Sequence, residues 1–279
     1  MHVGAAAGLQ VVSDDLDQPD VAAADRRFDR HGLDQAGRGF EFRIGDPARA
    51  HVGAGRDHRG EFSGDLVLVE AGLGNVEVEP SVGVADRGVL TTATGDTIAI
   101  ANASYTDPAK TEIAHLPAAT TGLNLKIGET VRAAIDWDLR YARMRMHTAL
   151  HLLSAVLPYP VTGGAVGDAD GRLDFDIPEA GLDKDEITRK LAAMIAAGAE
   201  VRSRWITDAE LEAAPGLVKT MSVKPPIGTG RVRLIEIVGY DLQPCGGTHV
   251  HMTSEIGNVR VTQIEKKGKQ NRRVRIAFA

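Results

Sequence analysis

Two short segments nearly a hundred positions apart must be brought together if this chain is to use them. One is RMHTALHLL, with His147 and His151; the other is QPCGGTHV, with Cys245 and His249. Together they offer three imidazoles and a thiol, donor types that zinc prefers. The first pair lies in DWDLRYARMRMHTALHLLSAVLPYP, where Met146, Leu150, Leu153 and Leu157 recur at helical intervals and Pro158 marks a stop. The pattern predicts a helix of roughly 20 residues, capped by Asp136 or Asp138. Residues four apart share a face, so both histidines can reach one ion. Between the second pair, Gly246 and Gly247 let the backbone wrap tightly where a side chain would collide. A bound metal would itself favour the Cys245 thiolate. The competing account is a set of satisfied core histidines beside an inert thiol. HTALH has no Glu at the general-base position of HExxH metalloproteases, which argues against peptide hydrolysis.

The rest of the pattern suggests a mixed domain around these ligands. Between Pro178 and Gly198, LDKDEITRKLAAMIAAGAE has the spacing of an amphipathic helix. A second short helix is expected from Asp208 to near Pro215. RVRLIEIVGYD alternates like a strand feeding straight into QPCGGTH, and VRVTQIE with RVRIAF reads as a hairpin turning at KKGKQN. From about Val89 to Asp136, TIAIANAS, EIAHLP and VRAAIDW are short strands, with His115 a strand histidine. The expected class is α+β, with a strand end and one helix holding the metal between them.

The flanks of these motifs carry a resemblance. MRMHTALHLL, RLDFDI at 172–177, GYDLQPCGGTHV and EIGNVRVTQIEKKGKQNRRVRI resemble, in order and rough spacing, the editing domain of alanyl-tRNA synthetase. They are closer still to the free-standing alanyl-tRNA editing proteins called AlaX. The resemblance covers residues 86–279. It implies a small β-barrel-like N-terminal domain, of which 86–135 is the remainder, followed at 136–279 by a zinc-binding α+β editing domain of the alanyl/threonyl-tRNA synthetase type. It places Zn2+ on His147, His151, Cys245 and His249. It implies a cytoplasmic, metal-dependent aminoacyl-tRNA deacylase, a carboxylic ester hydrolase that removes serine, with glycine as a second candidate, from mischarged tRNA(Ala). Four protein ligands would by number alone suggest a structural ion. The alternative to the hydrolase is a noncatalytic zinc-containing tRNA-binding module, kept open by the absence before Asp86 of the glycine-rich stretch the family carries.

An editing site has to tell serine from alanine, and a site built to hydrogen-bond the hydroxyl leaves its own polar groups unpaired with alanine. Thr248, Gln243 and Thr148 are the candidates for such catalytic-site contacts, with capping or turn roles competing at each. The net charge of −6 is unusual for an RNA binder, so the placement of cations matters more than their sum. Lys266, Lys267, Lys269 and Arg272 in the terminal hairpin, with Arg273 and Arg275, are candidates for phosphate contact, and Arg143 and Arg145 before the metal helix are a similar but weaker case.

A single cysteine excludes an internal disulfide and fits a reducing compartment. No apolar run approaches a membrane span, and no signal-peptide pattern opens the chain, so secretion is not expected. Residues 1–85 contain no Lys, Tyr, Trp or Cys and have poor periodicity. From Asp86-Arg87-Gly88 the chain fits the family's D-x-G element, but EPSVGVA stands where a glycine-rich stretch is expected. Residues 1–85 are therefore read as an out-of-frame translation of a GC-rich gene, with a divergent domain or a disordered extension as alternatives.

Overall fold

The computed structural model describes residues 86–105, 112–119, 130–178, 181–219 and 230–279, together with five short strands nearer the N-terminus. Apart from those strands, the expectation of an out-of-frame or disordered segment at 1–85 lies outside the described residues. The fold is mixed α/β, with mainly antiparallel sheets and few helices among the described residues. The chain divides into two compact units, Met1–Arg140 and Tyr141–Ala279.

The first unit holds β1 (Gln10–Val12), β2 (Phe40–Ile44), β3 (Gly55–Arg56), β4 (Phe62–Ser63), β5 (Asp65–Leu66), β6 (Gly88–Thr92), β7 (Thr97–Tyr105), β8 (Glu112–Pro117) and β9 (Thr130–Ile135). Seven of them form one sheet in the order β1-β8-β7-β6-β9-β2-β5, and β3 pairs with β4. TIAIANAS, EIAHLP and VRAAI are the expected strands, and His115 lies in β8. Alternation along them buries Leu90, Ile98, Ile100 and Val131. No ladder joins β1 to β5, so among the described residues no closed barrel is formed, where a small barrel was expected. Gly88 is required by a close strand approach, since a Cβ there would stand 2.3 Å from the Ala134 carbonyl oxygen.

Helix α1 (Trp137–Val156) starts where Asp136 accepts the Leu139 amide, so Asp136 is the cap. It ends two residues before Pro158. Its buried stripe of Met146, Ala149, Leu150, Leu152 and Leu153 is a core of the second unit. Truncating Leu153 to Ala would cost about 2–5 kcal/mol. Gly171 lets a sheet lie close to that stripe: a Cβ there would meet Met146 Cγ at 2.9 Å.

That sheet is four-stranded, with β10 (Val161–Val166), β11 (Asp170–Asp176), β15 (Val259–Lys266) and β16 (Asn271–Phe278) in the order β10-β11-β16-β15. The terminal hairpin forms as its alternation predicts. Helix α2 (Lys184–Ala196) packs on β15, and Thr188 Oγ1 accepts the Val261 amide. It begins later than the pattern near Pro178 suggested, because Asp183 caps it by accepting the amides of Asp185 and Glu186.

A third sheet orders β12 (Val201–Thr207), β13 (Arg231–Ile237) and β14 (Asp241–Pro244), with helix α3 (Asp208–Ala213) capped by Thr207 and Glu210. RVRLIEIVGYD is not one strand running into the cysteine. It folds back at Gly239, whose φ of 81° is open to glycine, and makes the hairpin β13–β14. That reversal sets Asp241 and Gln243 directly across from Ile237 and Ile235.

Candidate metal centre

His147 and His151 project from α1, and Cys245 and His249 from the loop that leaves β14. Their four donor atoms lie within 4.8 Å of one another. The three imidazole centroids are 4.2, 4.6 and 5.1 Å apart. Cys245 Sγ stands 3.5 Å from His147 Nε2 and 3.4 Å from His249 Nε2. The structure thus brings together all four residues that the two sequence motifs singled out.

Each histidine is held by its far nitrogen. His147 Nδ1 lies 3.2 Å from the Thr248 carbonyl, His249 Nδ1 3.1 Å from Thr148 Oγ1, and His151 Nδ1 2.9 Å from Asp241 Oδ2. With oxygen acceptors at every Nδ1, the tautomer carrying the proton there is favoured and Nε2 is left for an ion. Thr148 suits that task because its hydroxyl donates to the Met144 carbonyl and accepts from His249 and the Val250 amide. Gln243 donates to Asp241 Oδ2 at 2.7 Å and to Ser154 Oγ at 3.2 Å.

The electrostatics of the cluster favour a thiolate at Cys245 and a proton on His151, and binding of an ion would release that proton. Burial pushes the Cys245 thiol up, but hydrogen bonds from the three imidazoles outweigh it and bring the group down to about 2. Burial opposes protonation of His151, while Asp241 and Cys245 raise it to about 9. His249 is held well below its ordinary value by burial and by the two neighbouring histidines. The bonds from the imidazoles favour the thiolate of Cys245, the form that binds metals.

The two glycines of CGGTH are unequal. A Cβ on Gly247 would sit 2.4 Å from His147 Cε1, whereas one on Gly246 would meet nothing within 4 Å. Only Gly247 answers the expectation that a side chain here would collide. Arg233 holds the loop from β13: Nη1 donates to the Gly247 carbonyl at 2.7 Å, and the Cys245 amide donates to the Arg233 carbonyl at 3.1 Å.

The remaining sequence candidates fall into two groups. Thr248 is exposed beside the ligands, whereas Thr148 and Gln243 are buried behind them. Lys266 and Lys269 are exposed on the terminal hairpin. Lys267 pairs with Glu265, and buried Arg272 donates to the carbonyls of Gly268 and Asn271. Arg143 is buried and donates to Asp168 at 2.7 Å; Arg145 donates twice to the Ile256 carbonyl and lies over Phe278. These two arginines are not gathered at the metal ligands.

Sequence reasoning missed Asp241, Ser154, Lys219 and Arg233. Asp241 was within reach, because it lies two before Gln243 and so on the same strand face. Nothing local marked the other three.

Known proteins similar to this chain include alanyl-tRNA editing proteins and alanine–tRNA ligases. Residues 232–275 match the family described as threonyl and alanyl tRNA synthetase second additional domain. Alanyl-tRNA editing protein AlaX-M of Methanosarcina acetivorans is 35% identical over 157 residues, 54% of this chain and 64% of that relative. The chain therefore spans just under two thirds of that relative's length. Alanine–tRNA ligase of Methanococcus maripaludis is 35% identical over 150 residues, 50% of this chain and 16% of the ligase. AlaX-M of Saccharolobus solfataricus is 31% identical over 227 residues, covering 77% of this chain and 92% of that relative. With that identity and coverage, the chain belongs to the family of AlaX-M alanyl-tRNA editing proteins.

Proposed function

We propose that this chain is a zinc-dependent aminoacyl-tRNA deacylase, which hydrolyses the ester of serine, and of glycine as a second substrate, wrongly attached to tRNA(Ala). The observation that carries this is the convergence of three Nε2 atoms and one thiolate, each imidazole fixed by its other nitrogen. The donor set fits zinc. Bond lengths of about 2.0–2.1 Å to nitrogen and 2.3 Å to sulfur give a tetrahedral nitrogen–sulfur edge of about 3.6 Å. The observed 3.4 and 3.5 Å agree with it. A bound zinc ion would supply Lewis acidity to the ester carbonyl or to an attacking water.

The residues of the chain then divide the work. Thr248, exposed beside His147 and His249, is the residue assigned to the seryl hydroxyl. Thr148 and Gln243 act on the ligands and not on the substrate. Lys266 and Lys269 meet phosphates of the acceptor end, a role that Lys267, Arg272, Arg143 and Arg145 share less because their bonds run inward. Trp205 is 48% exposed and stands across from Arg233 on the sheet face that also carries Asp241 and Gln243. An aromatic ring at that place suits stacking of an unpaired terminal base. Residues 136–279 form the editing domain, and the cytoplasm is the compartment in which its substrate is met.

One observation favours a second reading. Four protein ligands fill a tetrahedral ion, as in structural zinc sites, which suits a noncatalytic zinc-containing tRNA-binding module. A deacylation assay with seryl-, glycyl- and alanyl-tRNA(Ala) separates the two. Metal-dependent release of serine, lost in His147→Ala, is expected. Salt-sensitive tRNA binding with no release from any ester would establish the module.

A further inference from the structure

We propose that Lys219 is a positioning residue of the metal centre, which fixes His151 through Asp241 and so sets metal affinity from outside the ligand set. The proposal rests on the reading of His147, His151, Cys245 and His249 as a metal site.

The three histidines are oriented by unlike means. His147 leans on a main-chain carbonyl, and His249 on a threonine of α1 whose hydroxyl is itself tied to the helix backbone. The first acceptor moves only with the backbone, and the second has a single torsion held by its bond to the Met144 carbonyl. His151 leans on Asp241, a side chain with two torsions of its own. The Asp241 side chain is 0% exposed, so its orientation is set by what it bonds inside the protein. Oδ2 accepts from His151 at 2.9 Å and from Gln243 at 2.7 Å, both on one side of the carboxylate. Oδ1 accepts from Lys219 Nζ at 2.5 Å. Lys219 is the cation of that ion pair and its side chain is 29% exposed, a link from the interior to the surface.

Lys219 is also well placed to act as an anchor. It follows the short turn Pro215–Leu217, and its carbonyl accepts the amide of Val161 at 3.0 Å, which ties it to the first residue of β10. The ammonium therefore reaches Asp241 from a main chain fixed to a different sheet than the one bearing Asp241. Without it, the carboxylate keeps its two bonds at Oδ2 but is free to tilt about them, and the buried anion loses its counter-charge. His151 would follow that tilt, and Nε2 would leave the position where the four donors converge. Partners of this kind, one shell beyond the ligands, typically change metal affinity by about 10–100-fold.

The test is competition for Zn2+ between a chromophoric chelator and the full chain, in wild type, Lys219→Met, Lys219→Arg, Asp241→Asn and the Lys219→Met/Asp241→Asn double variant. Methionine keeps the length of the stem without the charge. The expected result is about 10–100-fold weaker binding in Lys219→Met, recovery in Lys219→Arg, and a double variant no weaker than Asp241→Asn alone, because the two residues act in series. Urea unfolding of the metal-free proteins supplies the control. Lys219→Met that loses stability yet binds Zn2+ as tightly as wild type, or losses that add in the double variant, would overturn the proposal. Wild type that holds no Zn2+ would overturn the metal centre itself, a result distinct from tight wild-type binding that is indifferent to Lys219.

Discussion

The candidate metal cluster and the terminal basic hairpin are both marked in the sequence by short groupings of functional residue types, and the structure treats them in opposite ways. At the cluster, residues from α1 and from the loop after β14 point their donors at one place, with the supporting bonds made on the far side. At the hairpin, much of the charge is matched from within: Arg273 makes two bonds to Asp174 across β11 and β16, and Arg275 and Lys267 share Glu265. What separates a binding site from a decorated strand is where the partners lie. Groups that converge on one point with their support on the far side are available to a ligand, and groups whose partners are already inside are not.

The sharpest break of that comparison is at the glycines. Gly247→Ala should strip the metal, since its Cβ would overlap the His147 ring; the loss should equal or exceed the ~10–100-fold typical of outer-shell changes. Gly246→Ala should leave metal content unchanged and stability within about 0.5 kcal/mol. Metal analysis of the two purified variants decides the point, and equal loss in both would mean that the loop is set by glycine flexibility and not by the approach to His147.

Trp205→Ala comes next. If the ring stacks a base, KM for mischarged tRNA should rise by the equivalent of about 1–3 kcal/mol with kcat and metal content little altered. An unchanged KM would remove Trp205 from the substrate surface.

The internally paired charges of the hairpin predict stability effects in place of binding effects. The guanidinium of Arg273 holds the Asp174 carboxyl below the ordinary carboxylate range, with burial opposing it and Arg172 adding to it. A depressed value means stability that is present above about pH 4, the ordinary value, and lost as the pH falls below it. Asp174→Asn should therefore cost about 1–3 kcal/mol near neutrality, with a difference from wild type that shrinks in acid. Chemical denaturation at several pH values reads it directly, and a pH-independent gap would contradict an ion pair at this position.

The smallest effect is expected from Lys266→Ala/Lys269→Ala. Stability should stay within about 0.5 kcal/mol, while the logarithmic salt dependence of tRNA binding becomes shallower by about 0.7–0.9 for each phosphate that is no longer neutralised. Arg273→Ala should do the reverse, lowering stability with no change in salt slope.

Much of the site is legible in the chain because its ligands obey local rules. His147 and His151 share a helix face by their spacing, and Cys245 and His249 are four apart on one loop. The hairpin of β15 and β16 and the cap at Asp136 follow from short-range patterns of the same kind. What is not legible depends on distant contacts. Lys219 meets Asp241 across 22 positions and a change of sheet, and nothing near Lys219 marks it. Arg143 and Arg145 read as weaker candidates for phosphate contact, yet Asp168 and the Ile256 carbonyl draw them inward. Gly239 shows the opposite failure, a local signal overlooked, since a glycine in an alternating run is where a strand turns back.

The most direct test of the metal centre is X-ray absorption at the zinc edge of the purified chain, with metal content measured on the same sample. The expected result is one zinc per chain with one sulfur at about 2.3 Å and three nitrogens at about 2.0–2.1 Å, the sulfur contribution vanishing in Cys245→Ser. A shell of oxygen and nitrogen alone, or a stoichiometry that does not change when His147 and Cys245 are replaced, would contradict it.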